Sequence, residues 1–374
     1  MPMPRRSTAK RSNKPVILVC LDGCSWEYIS SSKGSNLIGI EQAGTIAHCK
    51  SMVPTVTNVN NASILTGEFP KEHGITGNYY FEKSRKSMIY MDSPSFLECK
   101  TLLEMASSRG QTTLFLTVKD KLRRLLGRGV TTSFSVEKPP AWIIKKLGSP
   151  PNIYSSNSSV WLIDAALEVL KRRSYDIVYI STTDYVFHKF APDSEVVREY
   201  TVTIGEKISQ LNTEDIVVGI VSDHGMNKKR LKVDLEKLLS ERKLKAKVIP
   251  IIKDEYEEHH QNLGGAVYIY LEKRALSSKA AEILRDQDGV EAALTRNEAV
   301  RKFHLPANRI GDLLVLGNVE AVFSHVDKGL YEDVDVRSHG SLHEQEVPFI
   351  LNQKREITCE FNKDAFSMLW SLEP

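Results

Sequence analysis

The sequence predicts an α/β protein, a doubly wound and mostly parallel sheet with an inserted smaller α/β cap domain. Three short apolar runs carry the prediction: VILVCL (16–21), DIVYIS (176–181) and DIVVGIVS (215–222). They lack polar alternation, which is how strands buried on both faces of a parallel sheet read. The second observation is their spacing, because helical stretches such as SSVWLIDAALEVLKRR (158–173) lie between them. The third is that each run is followed within three residues by an aspartate, Asp22, Asp184 or Asp223. Ligands in open α/β sheets collect outside the carboxyl ends of the strands, so residues distant in sequence are predicted to converge there.

Taken in order, a strand is expected over 15–21, a helix entering near Thr57, and a strand at TTLFLTV (112–118). An excursion over 119–150 carries KDKLRRLLGRG and the proline turns KPPAW and GSPPN, and is predicted to form a lid or a cap-side loop. The helix 158–173 and strands near 176–181 and 216–222 follow. After SDHG the character changes to a charged helix DLEKLLSERKL, the runs AKVIPII and GAVYIYL, the helix SSKAAEILRDQ and the run DLLVLG. That succession predicts a cap over 239–331. The chain then returns with RSHGS and with EVPFIL, a last core strand. The expected division is a basic disordered tail (1–14), a core (15–238 and 332–374) and the cap.

With 374 residues, 41% hydrophobic and 26% charged, the chain can bury a sizeable core. The net charge of +3 is a property of the first 14 residues, which hold Arg5, Arg6, Lys10, Arg11 and Lys14 and no acid. Without them 45 basic and 47 acidic residues remain, a net of −2. A nucleic-acid role therefore gains little support. No run approaches the roughly 18 residues of a membrane span and no apolar leader is evident, so the expected address is the cytoplasm. The five cysteines, Cys20, Cys24, Cys49, Cys99 and Cys359, show no zinc-ribbon spacing and are expected to be reduced packing thiols.

Asp22, Asp184, His188, Asp223, His224 and His339 form a set of carboxylates and imidazoles that suits two borderline metal ions. Asp184, His188 and His339 are assigned to one ion, and Asp22, Thr57, Asp223 and His224 to the other. Singly, each has an ordinary role as a turn residue, a helix cap or a loop histidine. Their joint placement at strand ends favours the metal reading. His259 and His260, among the acids of DEYEEHHQ, read as surface residues. In PTVTNVNNASILTG, Thr57 is predicted at a helix N-cap, where free amides and the dipole favour an alkoxide and an incoming phosphoryl group. Thr55 is the competing hydroxyl.

VCLDG, PTVTNVNNASILTG, EHGITGN, STTDYVFHK, SDHGM and RSHGS together resemble the alkaline phosphatase superfamily, on its nucleotide pyrophosphatase/phosphodiesterase branch. Thr57 to Asn61 and TVKDKLRRLLG (117–127) are similar to the nucleophile segment and substrate loop of the phosphonoacetate hydrolases of that branch. The resemblance implies two zinc ions (manganese or iron as alternatives) and Thr57 as nucleophile. It also implies Asn78 as a phosphoryl-oxygen donor, and Lys119 and Lys121 as anchors for a substrate carboxylate. The implied reaction is hydrolysis of the C–P bond of phosphonoacetate. The alternative is phosphodiester or nucleotide hydrolysis, with Tyr79, Tyr80 and Phe81 stacking on a base. The expected partner is a small phosphonate, with no nucleic acid and no membrane; a homodimer is left open.

Overall fold

A computed structural model describes residues 14–31, 44–253 and 261–370. Its centre is a seven-stranded sheet built from β1 (Val16–Cys20), β2 (Thr45–Lys50), β5 (Thr113–Thr117), β6 (Thr132–Ser135), β7 (Ile177–Ser181), β8 (Val217–Val221) and β16 (Glu346–Leu351). The spatial order is β2-β16-β8-β1-β7-β5-β6. β1 lies parallel between β7 and β8, while β16 runs antiparallel to both β8 and β2. The hairpin β3 (Tyr79–Glu82) and β4 (Ser87–Tyr90) stands beside it.

Both faces of this sheet are covered, which is why its strands read as continuous apolar runs. Along β1, Val16, Leu18 and Cys20 join one core cluster, and Ile17 and Val19 join the other. The first is covered by α2 (Thr57–Thr66), with α1 (Trp26–Ser31) preceding it in the chain. α3 (Pro70–His73), α4 (Leu102–Ser108), α5 (Asp120–Leu126) and α6 (Ala141–Leu147) follow. The second cluster is covered by α7 (Asn157–Arg172) and α9 (Glu195–Ser209), with the short α8 (Tyr185–Lys189) between them.

A three-stranded sheet joins β9 (Asn227–Val233), β14 (Ala321–Phe323) and β15 (Tyr331–Ser338). A four-stranded sheet of order β10-β11-β13-β12 comprises β10 (Ala246–Pro250), β11 (Ala266–Leu271), β12 (Val290–Thr295) and β13 (Leu313–Gly317). Val267, Ile269 and Leu313 pack with residues of α10 (Leu235–Glu241) and α11 (Ser277–Arg285), and α12 (Arg296–Phe303) follows β12. Tyr268, Leu314 and Leu316 face the other way, into the cluster that contains α2. The inserted sheet therefore shares a core with the main sheet. α13 (Ala365–Trp370) closes the described chain.

Two expectations change. The stretch 119–150 is no lid: β6 within it pairs in parallel with β5 as the edge strand of the main sheet. TSFS is short and buries only Phe134 and Ser135, so its strand signal is weak. Cys49 and Cys359 form a disulfide, which corrects the reading of all five cysteines as thiols; Cys20, Cys24 and Cys99 are free. The pair is 310 residues apart and unites β2 with the segment after β16, a proximity that spacing does not encode. The basic tail up to residue 13, with His259 and His260, lies outside the described residues. Among the described residues no helix is long and apolar enough to cross a membrane.

Candidate active site and metal centre

Asp22 follows β1 by two residues, Asp223 follows β8 by two, and Asp184 follows β7 by three; these three parallel strands are adjacent, so their C-terminal ends deliver the carboxylates to one place. α8 carries His188 one turn after Asp184, and β15 ends immediately before His339. Gly23 makes the turn after Asp22 at φ +76°, and a Cβ there would lie 2.9 Å from Asp184 Cβ. Only glycine permits both that backbone and that approach. Asp184 occupies the N-cap position of α8 without making a capping hydrogen bond, so its carboxylate serves the site instead.

All six metal-type side chains are buried. Asp184, His188 and His339 present ligand atoms within 4.8 Å of one another, and so do Asp22, Asp223 and His224. His188 Nε2 lies 3.0 Å from Asp184 Oδ2, and His224 Nε2 lies 3.4 Å from Asp22 Oδ1. The Nδ1 atoms turn outward to backbone carbonyls, His188 to Arg337 at 2.7 Å, His339 to Thr55 at 2.7 Å and His224 to Gly225 at 3.0 Å. A donated Nδ1–H fixes the tautomer that leaves Nε2 with its lone pair, the arrangement of metal-bound histidine.

Burial first, then the charges of Asp184 and Asp223, push the Asp22 carboxyl well above its usual range. Burial likewise pushes Asp223 up to about 7. Burial, with His224 and His188 beside it, holds the His339 imidazole well below its ordinary value. Three buried carboxylates gathered with Lys119 as the neighbouring cation remain costly, as the raised Asp22 and Asp223 show, and divalent cations reverse that balance. The residues therefore fit a pair of metal ions.

Thr57 is the first residue of α2 rather than its N-cap, which is Val56. Its Oγ1 stands 3.2 Å from His224 Nε2 and 3.5 Å from Asp22 Oδ1, on the Asp22 triad. Thr55, the competing hydroxyl, is fully buried, donates to the Ser341 carbonyl at 2.9 Å and accepts from the Gly340 amide. It holds the loop of His339. One cavity is lined by Asp22, Thr57, Asp184 and His339 together with Asn78, Lys119 and Lys121. Lys119 Nζ lies 3.5 Å from Asp184 Oδ1. Asn78 Nδ2 donates to the Ile252 carbonyl at 2.9 Å, which leaves its second N–H for the cavity.

Sequence reasoning missed Asn61. Its Nδ2 donates to Asp223 Oδ2 at 3.0 Å, and its Oδ1 accepts from Tyr179 Oη at 2.7 Å and Ser181 Oγ at 3.1 Å. The available signal was NVNNAS itself, a helix entry with too many amides for an ordinary core face.

A family model described as type I phosphodiesterase / nucleotide pyrophosphatase matches residues 16–342. Over 232 residues the chain is 29% identical to a venom phosphodiesterase of Macrovipera lebetinus, covering 57% of this chain and 25% of that one. The chain thus spans about a quarter of the length of the venom phosphodiesterases it matches. Phosphonoacetate hydrolase from Sinorhizobium meliloti 1021, solved with phosphonoformate and with phosphonoacetate, is similar at a TM-score of 0.90 and 32% identity, over 97% of this chain and 96% of that one. Human ectonucleotide pyrophosphatase/phosphodiesterase 5 shares the fold at a TM-score of 0.70 and 18% identity, over 96% and 95% of the two chains. With its strand-end carboxylates, paired triads and Thr57 helix entry, the chain belongs to the type I phosphodiesterase / nucleotide pyrophosphatase family of the alkaline phosphatase superfamily.

Proposed function

We propose that the protein hydrolyses the C–P bond of phosphonoacetate to acetate and phosphate through a phosphothreonine at Thr57. The observation that carries this reading is one cavity in which the Thr57 hydroxyl, both carboxylate–imidazole triads and two lysines meet. A small dianionic group and a carboxylate need that combination. A solved relative that matches at 32% identity over nearly the whole of both chains is a phosphonoacetate hydrolase.

Asp184, His188 and His339 would hold one zinc ion and Asp22, Thr57, Asp223 and His224 the other, with manganese or iron sharing the same donor types. Such ions, when bound, polarise phosphonate oxygens and lower the pKa of a hydroxyl and a water. Thr57 sits at the first turn of α2, whose backbone N–H groups face an incoming phosphoryl group. The Thr57 hydroxyl gives its proton to solvent, and its oxygen forms a new P–O bond as the P–C bond breaks. The electron pair leaves on carbon as the enediolate of acetate, which takes a proton from solvent. Lys119 and Lys121 hold the carboxylate on which that charge accumulates. Water then attacks phosphorus, the P–O bond to Thr57 breaks, the threonine regains a proton and phosphate departs.

Stacking on a nucleotide base asks for an aromatic shelf, and this cavity is lined by no Phe, Tyr or Trp among the described residues. Tyr79 is buried and stacks on Tyr90, and Phe81 packs edge-on against Tyr270. The test compares zinc-loaded parent with Thr57→Ala, Lys119→Ala and Lys121→Ala on phosphonoacetate and on a nitrophenyl phosphodiester. Thr57→Ala is expected to lose phosphonoacetate turnover by at least about 10⁴-fold, as removal of a nucleophile does. Either lysine variant is expected to lose it by about 100-fold with less effect on the diester. Full turnover by Thr57→Ala would sink the mechanism, and parent activity confined to the diester would replace the substrate.

A further inference from the structure

α2 opens with Thr57 at its first position and Asn58 at its second. Asn58 is 5% exposed, and its Nδ2 has no hydrogen-bond partner among the described residues. A buried amide without a partner is costly, so such groups are rare and call for a reason. Three other buried side-chain atoms share that condition among the described residues, on Ser25, Trp161 and Asn362, and none of those residues lines the Thr57 cavity. Asn58 does.

The neighbouring asparagines sharpen the contrast. Asn60 bonds the backbone around Met52, Asn61 bonds Asp223, and Asn78 gives one N–H to Ile252. Asn58 alone in this group keeps both amide hydrogens uncommitted among the described residues. Side chains on a helix lean toward its N-terminus, which here is the end holding the Thr57 hydroxyl and the free backbone amides. An anion collects at that end.

We infer that Asn58 is a substrate-binding residue whose side-chain amide donates to an oxygen of the phosphoryl group being transferred to Thr57. This rests on the reading of the cavity as a phosphoryl-transfer site. With Asn78 it would supply three amide hydrogens to that group. The partner of the buried amide thus arrives with the substrate.

The test is calorimetric binding of inorganic phosphate and of acetate to the zinc-loaded full chain, for the parent and Asn58→Ala, together with kcat/KM on phosphonoacetate. Phosphate affinity is expected to fall at least tenfold and kcat/KM by about 100-fold, the loss seen when one such donor is removed. Acetate affinity should stay within twofold. Zinc content and melting temperature should match the parent, because Asn58 Nδ2 bonds nothing else among the described residues. If Asn58→Ala melts early, Asn58→Asp keeps the size and replaces the donor by an anionic acceptor, and it should abolish phosphate binding. Phosphate binding within twofold of the parent in either variant overturns the inference, as does a loss shared equally with acetate. A parent that binds phosphate in an Asn58-dependent way yet leaves phosphonoacetate intact would discard the C–P reading and keep Asn58. Acetate release with phosphate binding indifferent to Asn58 would do the reverse.

Discussion

Asp223 is held at four points: Gly23 and His224 donate backbone N–H groups to Oδ1 at 3.1 and 3.0 Å, Asn61 donates to Oδ2, and Asn362 donates to its backbone carbonyl. Asn61 in turn accepts from Tyr179 and Ser181, so one amide fixes a ligand and satisfies a buried phenol. Outer contacts of this kind commonly carry a 10- to 100-fold effect on metal affinity. Asn61→Ala is therefore expected to bind zinc about 10 to 100 times more weakly, read by competition with a chelator. It should also lose about 1–3 kcal/mol of stability, because Tyr179 is left unsatisfied. At this scale the aspartates were legible, since each ends an apolar run. Asn61 was not, because its partners Tyr179 and Ser181 on β7 and Asp223 just after β8 lie more than a hundred residues away.

The segment that carries the two lysines is pinned as a unit. Between Lys119 and Lys121, Asp120 is buried; its Oδ1 accepts from Arg123 Nε at 2.6 Å and from Ser135 Oγ of β6 at 3.1 Å, and its Oδ2 lies 2.9 Å from Lys138 Nζ. Glu137 accepts from the Asp120 amide. The start of α5 is thus tied to the edge strand, the physical reason that 119–150 folds into the sheet. Burial pushes the Asp120 carboxyl up, but Arg123, Lys138 and Ser135 outweigh it and hold the group down at about 2. A depressed pKa contributes stability above the unfolded value near 3.8 that is lost as pH falls toward 2. Asp120→Asn should therefore melt earlier than the parent at pH 6, and the gap should close by about pH 2. Loosening the lysines should raise KM for phosphonoacetate more than it lowers kcat, and an unchanged KM would separate Asp120 from their placement. The helix at 158–173 was legible to within a residue, whereas TSFS carried too little apolar character to be read as a strand.

Across the whole molecule, the inserted sheet and the main sheet share one core, so a division drawn from the change of sequence character at 239 cuts through packed residues. β9 already lies in the three-stranded sheet with β14 and β15, and β15 delivers His339 to the site. Sequence character showed the elements of the insertion, but not the faces by which Tyr268 and Leu314 join the α2 cluster. The Cys49–Cys359 link was equally hidden, because only the completed β2–β16 pairing brings its ends together. The fold also concentrates buried carboxylates at one end of the sheet. Asp22 and Asp223 are both raised without a metal, so their stabilising contribution is full below about 3.8 and falls as pH rises, that of Asp223 disappearing as pH passes about 7. Zinc should displace those protons. At pH 6.5, zinc uptake is expected to release protons, seen as a dependence of calorimetric heat on buffer ionisation, and apparent affinity should weaken from pH 8 to pH 6. Uptake without proton release would mean that the carboxylates are already ionised. The central claim is C–P hydrolysis at this site, and the stoichiometry of products from phosphonoacetate incubated with the zinc-loaded protein tests it most directly. Phosphate and acetate in equal amounts are predicted; intact phosphonoacetate, under conditions in which the same preparation cleaves a phosphodiester, would contradict it.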